Sequence, residues 1–199
     1  TLADMARAMG QGLRLTTDLI AQIRPDYVVL QGDRGEMLAA AIAAAHLNIP
    51  IAHLSGGDRS GSIDDSIRNS ISKFAHLHFT TCEESSQRLC AMGESKARIV
   101  NVGEPGLDVV LRTSLLTRSE LEREFDLKSG AAFILACQHP VTTEADRAAE
   151  QIEITLNVLQ ASGLPVVVTY PNNDGGSDQI IAALEKRRKE PWIRVVKNL

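Results

Sequence analysis

The side chains able to do acid–base work gather at a few places in the sequence. Asp33 and Arg34 follow the apolar run DYVVL, and His53, Ser55 and Asp58 occupy the end of IPIAHL and the loop after it. Asp64, Asp65 and Arg68 share the segment SIDDSIR. His139 follows AAFILAC, and Asn172 and Asp174 follow LPVVVTY. A carboxylate in a partly desolvated site can take a proton from carbon, because burial raises its pKa toward the working range. Arginine, histidine and helix N-termini can hold the negative charge that builds on a departing anion. Gly56-Gly57 and Gly175-Gly176 add loops in which backbone can come close to a phosphate or sugar. Such residues beyond strand ends mark a candidate ligand site.

Each residue also has a plainer reading. Asp33 sits in GDRG, a turn-forming composition, and His53 at a strand end fits a core histidine with satisfied nitrogens. Asp64 and Asp65 in a first helical turn favour the helix dipole, and Arg68 is spaced for an ordinary i,i+3 or i,i+4 ion pair. His139 precedes Pro140, which favours extended backbone at the end of a strand. His76 and His78 alternate onto one strand face but lack a third ligand at suitable spacing, so no metal is expected.

Apolar periodicity supplies the elements that must carry these residues. Leu2, Met5, Met9, Leu13, Leu19 and Ile23 mark one face of a helix that Pro25 ends. Short strands are expected at 26–30, 49–54, 77–81, 98–102, 131–137, 164–170 and 192–196. Helices are expected at 37–47, from Ser62, at 83–92, 119–125, about 143–162 and 177–188. Ser62 caps its helix with Asp65 three residues on, a variant of the capping box. Apolar strands alternating with helices imply parallel sheets covered on both faces. In such sheets ligands bind beyond the carboxyl ends of the strands, which is where the chemically able residues fall. The polar stretch Asp108–Arg118 divides the chain into two such sheets, 1–110 and 111–199, and implies a cleft between two domains.

Composition removes several function classes. The 199 residues are 44% hydrophobic and 23% charged, within the range of globular domains. A net charge of −4 argues against unspecific nucleic-acid binding, and no run approaches the ~18–20 apolar residues of a membrane span. Cys82, Cys90 and Cys137 are an odd set without CxxC spacing, which points to free thiols in the cytoplasm. GxGxxG, GxxxxGK[ST] and GxSxG patterns are all missing, so no dinucleotide, P-loop or hydrolase-elbow site is expected. The chain opens in a helix without an initiator Met and stops after a strand, so a longer parent protein is expected.

Five stretches, in order, carry a resemblance. They are PDYVVLQGDRGEMLAAAIAAAHLNIPIAHLSGGD (Pro25–Asp58), GSIDDSIRNSISKFAHLHF (Gly61–Phe79), RIVNVGEPGLD (Arg98–Asp108), LACQHPVTTE (Leu135–Glu144) and YPNNDGGS (Tyr170–Ser177). Together they resemble the UDP-N-acetylglucosamine 2-epimerase family, and within it the hydrolysing branch of sialic-acid and related nonulosonic-acid biosynthesis. The resemblance implies an α/β, glycosyltransferase-B-like fold of two Rossmann-like domains with the active site in the interdomain cleft. Residues 1–110 would be the later part of the first domain, and 111–199 the earlier part of the second, UDP-binding domain. It further implies a UDP-sugar substrate, no cofactor or metal, no nucleic-acid or membrane partner, and a homo-oligomer (dimer or tetramer).

The implied chemistry is elimination followed by hydration. A base removes the C2 proton of UDP-GlcNAc, UDP leaves in an anti elimination, and water adds to the resulting 2-acetamidoglucal to give ManNAc and UDP. By matched position, Asp33, Asp64 and Asp65 are the carboxylates for proton transfer, Asp33 and Asp65 foremost. Arg34 and His139 would contact the diphosphate or leaving group, Asn172 the nucleotide end, and Arg68 would orient the acidic pair. His53, Ser55, Gly56, Gly57 and Asp174 complete the expected substrate contacts. Ser55 departs from the family, many members of which carry glutamate or histidine there. GDR with IDDS and QHPVTT favours the hydrolysing branch. The alternatives are the non-hydrolysing isomerase, which yields UDP-ManNAc, and a non-catalytic nucleotide-sugar-binding module.

Overall fold

The computed structural model describes residues 2–198 (for Leu2, the backbone alone) as two compact units, one spanning Ala3–Thr113 and the other beginning at Ser114. The first unit runs α1 (Leu2–Ile23), β1 (Val28–Gln31), α2 (Gly35–His46), β2 (Ile51–Leu54), α3 (Ile63–Phe74), β3 (Leu77–Thr80), α4 (Glu83–Ala91), β4 (Ile99–Asn101) and α5 (Pro105–Arg112). Its strands form one parallel sheet in chain order, with Leu30 beside His53 and His53 beside His78. The alanines of α2 explain how tightly this layer closes. Ala39, Ala40, Ala41, Ala43 and Ala44 are all buried, and small side chains let the helix backbone come close to its neighbours. Ile20, Leu30, Ile51 and Ile71 complete that core.

The expected apolar face of α1 is only partly the buried one. Ile20 is buried and Leu13 packs on the core, whereas Met5, Leu19 and Ile23 are exposed, and the side chain of Leu2 lies outside the described residues. The contact stripe carries Leu13 and Ile20 and also turns Gly12 toward Ala39 of α2. The stretch Asp108–Arg118 also differs from a plain polar linker, because its first part is the end of α5, with Leu107, Val109, Val110 and Leu111 exposed.

The second unit runs α6 (Arg118–Glu124), β5 (Ile134–Cys137), a 3-10 segment at Thr142–Arg147, α7 (Ala148–Ala161), β6 (Val166–Thr169), α8 (Ser177–Arg187) and β7 (Ile193–Val196). Its three strands are parallel in the order β5-β6-β7. Val166, Val167 and Val168 are all buried, as a central strand covered on both faces requires. Ile152, Leu156, Ile180 and Leu184 from the helices pack with Val166, Val168, Ile193 and Val195.

One helix expected over about 143–162 is interrupted. Glu144 has non-helical φ −127° and ψ 29°, and regular α geometry begins only at Ala148. The Gln179 side chain fills the break: it donates to the Ala145 carbonyl (3.1 Å) and accepts from the Ala149 N–H (3.3 Å). Those two groups would bond each other in a continuous helix; the amide stands between them. Among the described residues no helix is long and apolar enough to cross a membrane.

Ile71, fully buried against the α2 alanines, provides a direct test of this core. Ile71→Ala is expected to lower unfolding stability by about 2–5 kcal/mol in urea titrations. Val29→Ala, at a side chain 64% exposed, should stay within about 0.5 kcal/mol of the parent.

Candidate active site

β1 leaves its sheet through Gly32, whose φ of +76° is unstrained only for glycine. That turn delivers Asp33 to the carboxyl end of the strand. There its carboxylate pairs with the Arg68 guanidinium, which rises from α3 and is itself buried. Arg68 Nη1 donates to Asp65 Oδ1 (3.0 Å) and to the Asp58 carbonyl (2.8 Å). One cation therefore joins the loop after β1, the loop after β2 and the first turn of α3. It bridges Asp33 and Asp65.

The expectation that Asp65 leads proton transfer meets a geometric obstacle. Its Oδ1 accepts from the Ser60 N–H (2.7 Å), the Ser60 hydroxyl (2.9 Å) and Arg68, and its Oδ2 accepts from the Gly61 N–H (2.9 Å). The backbone donors of Ser60 and Gly61 are the main reason its pKa falls from 3.8 to about 2. A carboxylate so fully engaged is a weak base, and it acts here as a clamp on the loop. Asp65 also does not form the expected box with Ser62. The Ser62 hydroxyl accepts from the Asp64 N–H (3.2 Å) and donates to Asp64 Oδ2 (2.8 Å), while Asp65 reaches back to Ser60 and Gly61. Among the described residues, Asp33 Oδ1 and Asp64 Oδ1 accept no hydrogen bond, which leaves these two carboxylates open for chemistry.

The glycines of the loop after β2 pack closely on the protein itself, and Gly57 also lines a cavity beside Asp65. A Cβ on Gly56 would lie 2.9 Å from Ser72 Oγ and 3.0 Å from His53 Nδ1. Gly57 has φ +79°, and a Cβ there would collide with the Ser85 carbonyl. Asp58 Oδ1 accepts from the Thr81 and Ser85 hydroxyls, each at 2.6 Å, so the loop is also tied to the start of α4. Ser55 takes left-handed geometry at φ +62° and donates its N–H to the Phe79 carbonyl (2.9 Å).

His53, expected among the substrate contacts, is instead fully buried with both nitrogens bonded within the protein. Arg34 stands at the start of α2 with its Nε 3.9 Å from Glu36. His76 and His78 diverge: His76 Nδ1 accepts from the Ile51 N–H (3.2 Å), and His78 is buried 3.3 Å from Glu94. A cavity of about 290 Å³ opens beside Asp65, lined also by Asp58, Arg59, Asn69 and Arg88. Ser60, Ser72 and Arg88 take part in these networks without any motif that singles them out, because their partners lie in other loops and helices.

In the second unit His139 lies exposed beyond β5. Its Nδ1 accepts from the Asn172 N–H (2.9 Å), so the neutral ring carries its proton on Nε2, 3.6 Å from Cys137 Sγ. Asn172 Nδ2 donates to Asp174 Oδ2 (2.6 Å), and the Asp174 N–H returns to Asn172 Oδ1 (3.3 Å). His139 thus presents an exposed N–H donor in a fixed tautomer. This suits an oxygen anion.

A family model described as UDP-N-acetylglucosamine 2-epimerase matches residues 1–199. The chain belongs to the UDP-N-acetylglucosamine 2-epimerase family. A Legionella pneumophila UDP-N,N'-diacetylbacillosamine 2-epimerase (hydrolyzing) is 40% identical over 99% of this chain and 52% of its own length. A Neisseria meningitidis UDP-N-acetylglucosamine 2-epimerase is 35% identical over 95% of this chain and 50% of its own. The chain therefore spans about half the length of these curated relatives. The crystal structure of UDP-GlcNAc 2-epimerase from Neisseria meningitidis bound to UDP-GlcNAc is similar in fold, with a TM-score of 0.75 at 17% identity over 98% of this chain and 55% of that one. The Methanocaldococcus jannaschii UDP-GlcNAc 2-epimerase in complex with UDP-GlcNAc and UDP gives 0.73 at 17% over 96% and 54%. The fold class is accordingly that of the epimerase family, α/β with parallel sheets covered by helices.

For this epimerase-family chain the Asp65 clamp has a pH signature. Its pKa in the fold, about 2, lies below the ordinary 3.8, so the stability it adds is complete above about pH 5 and is lost as pH falls through 3.8 toward 2. The difference in urea midpoint between the parent and Asp65→Asn should be largest near neutrality and shrink by about pH 3. Gly57→Ala should destabilise at every pH, by about 2 kcal/mol or more, because both its φ and the Ser85 carbonyl oppose a side chain.

Proposed function

We propose that this chain carries much of the catalytic machinery of a hydrolysing UDP-sugar 2-epimerase, acting on UDP-GlcNAc or a 2,4-diacetamido analogue. The observation that carries the reading is Asp33, held by a buried arginine at a strand's carboxyl end with one oxygen open. Asp33 Oδ1 takes the C2 proton, the C1–O bond to the diphosphate breaks, and a 2-acetamidoglucal remains. The His139 Nε2–H and the Arg34 guanidinium stabilise the departing UDP. Asp64 returns a proton to C2 from the other face, water supplies the hydroxyl at C1, and the 2-epimeric free sugar leaves. Asn172 and Asp174 hold the nucleotide end. No step calls for a metal or a redox cofactor.

The hydrolysing outcome is supported by the relatives named as hydrolysing, at 40% identity from Legionella pneumophila and 33% from Campylobacter jejuni. The Neisseria meningitidis relative, named without that qualifier, keeps the isomerase as a second reading, in which UDP returns to the glucal and UDP-ManNAc accumulates. The free thiols Cys82, Cys90 and Cys137 fit a cytoplasmic enzyme, and a homo-oligomer follows from the family resemblance.

With full-length protein and UDP-GlcNAc in H₂¹⁸O, early samples should show free UDP and ¹⁸O in the anomeric hydroxyl of the released sugar. UDP-ManNAc as the accumulating product would replace the hydrolase with the isomerase. Asp33→Asn keeps the shape and removes the basicity, so turnover should be abolished while UDP binding persists. His139→Ala should lower kcat about 10²–10³-fold, the usual loss for one such donor. Unchanged turnover per folded molecule would remove either residue from the mechanism.

A further inference from the structure

His53 lies on β2, fully buried and one residue short of that strand's end. Its Nε2 is 2.8 Å from the Gly32 carbonyl oxygen, which can only accept, so Nε2 must carry the ring proton. Nδ1 of the neutral ring is then the acceptor, and the Ser72 hydroxyl at 3.0 Å donates to it. Burial lowers the imidazole pKa to about 4, which keeps the ring neutral and the tautomer single near neutral pH. Ser72 is itself wholly buried on α3, one helical turn beyond Arg68.

Gly32 is thereby gripped at both polar groups. Its N–H donates to the Leu54 carbonyl (2.9 Å), and its carbonyl receives His53. The peptide that includes this carbonyl is the one that leads into Asp33. With φ at +76°, Gly32 has no Cβ to restrict its rotation, so these two bonds set its orientation. Gly56 leaves room for the arrangement, since a Cβ there would press on both His53 Nδ1 and Ser72 Oγ.

We propose that His53 is a positioning residue for Asp33. The Ser72–His53–Gly32 chain fixes the peptide before Asp33, and with it the direction of the carboxylate that takes the C2 proton. The inference rests on the role of Asp33 argued above. A histidine that merely fills the core would affect stability alone, whereas a positioning histidine affects kcat beyond what stability explains.

The test compares His53→Gln with His53→Leu in full-length protein, with kcat and KM for the UDP-sugar corrected for the folded fraction. Gln places an N–H near the position of Nε2 and Leu places none. A 1 Å misplacement of a reacting group is worth on the order of 10²-fold, so Leu should lower kcat by about that factor with KM little changed, and Gln should recover about tenfold or more. If Leu fails to fold, His53→Asn takes its place, because Asn can still meet Ser72 but is too short for Gly32. Wild-type kcat in the Leu or Asn variant, or equal losses in Gln and Leu, would overturn the proposal. A wild-type protein that releases no UDP would sink the functional reading instead. The proposal is then decided by crystal structures of the parent and variant: Asp33 displaced by about 1 Å supports it, and an unmoved Asp33 overturns it.

Discussion

A guanidinium buried beside two carboxylates organises the first unit. Removing Arg68 from water costs several kcal/mol, and the cost is offset only if carboxylates and carbonyls meet it in good geometry. Asp33, Asp65 and the Asp58 carbonyl meet its two terminal nitrogens, from a turn after β1, the first turn of α3 and the loop after β2, while its Nε is buried without a partner among the described residues. None of these segments can shift without leaving a buried charge short of partners. The surrounding loops are shaped to allow the meeting: Gly32 turns the chain toward it, and Gly56 and Gly57 let the second loop sink onto Ser72 and Ser85. Charge, rather than apolar contact, therefore sets the loop geometry, while the alanines of α2 and the branched residues of the strands supply the rigid base beneath.

Asp65 and Asp33 show how one cation divides roles between two similar groups. Asp65 is saturated by backbone donors and held well below the ordinary carboxylate range. Asp33 keeps an open oxygen. Similar side chains on the same arginine thus differ in how far they are engaged, and the difference lies in whether the neighbouring peptides point their N–H groups at them.

Much of this was legible in the sequence, and the reasons are local. The described strands are short, mostly apolar runs, and Asp33, Asp58, His139 and Asn172 fall beyond strand ends, whereas His53 lies within β2 itself. Ser62 reads as a cap and is one. What escaped depends on contacts between segments far apart in the chain. The break before α7 is bridged by Gln179, about thirty residues away. The buried face of α1 carries Leu13 and Ile20 and turns Gly12 toward Ala39, a small-residue contact that a hydrophobic count passes over. The glycines after β2 read as places of close backbone approach; in the fold they pack against His53, Ser72 and Ser85, and Gly57 also lines the cavity beside Asp65. His53 had two open readings, substrate contact and core histidine; its burial fits the second, and its bond to Gly32 gives that core position a link to the site.

The Gln179 amide has a mechanical consequence. It bridges the Ala145 carbonyl and the Ala149 N–H, and so fastens the turn before α7 to the first turn of α8. A second fastening joins the same two loops a few residues upstream, where the Asn172 N–H meets the His139 ring. The segment from His139 to Arg147 and the segment from Asn172 to Gln179 are thus tied to each other at two separate points, so that displacing one strains the bonds that orient the imidazole on the other.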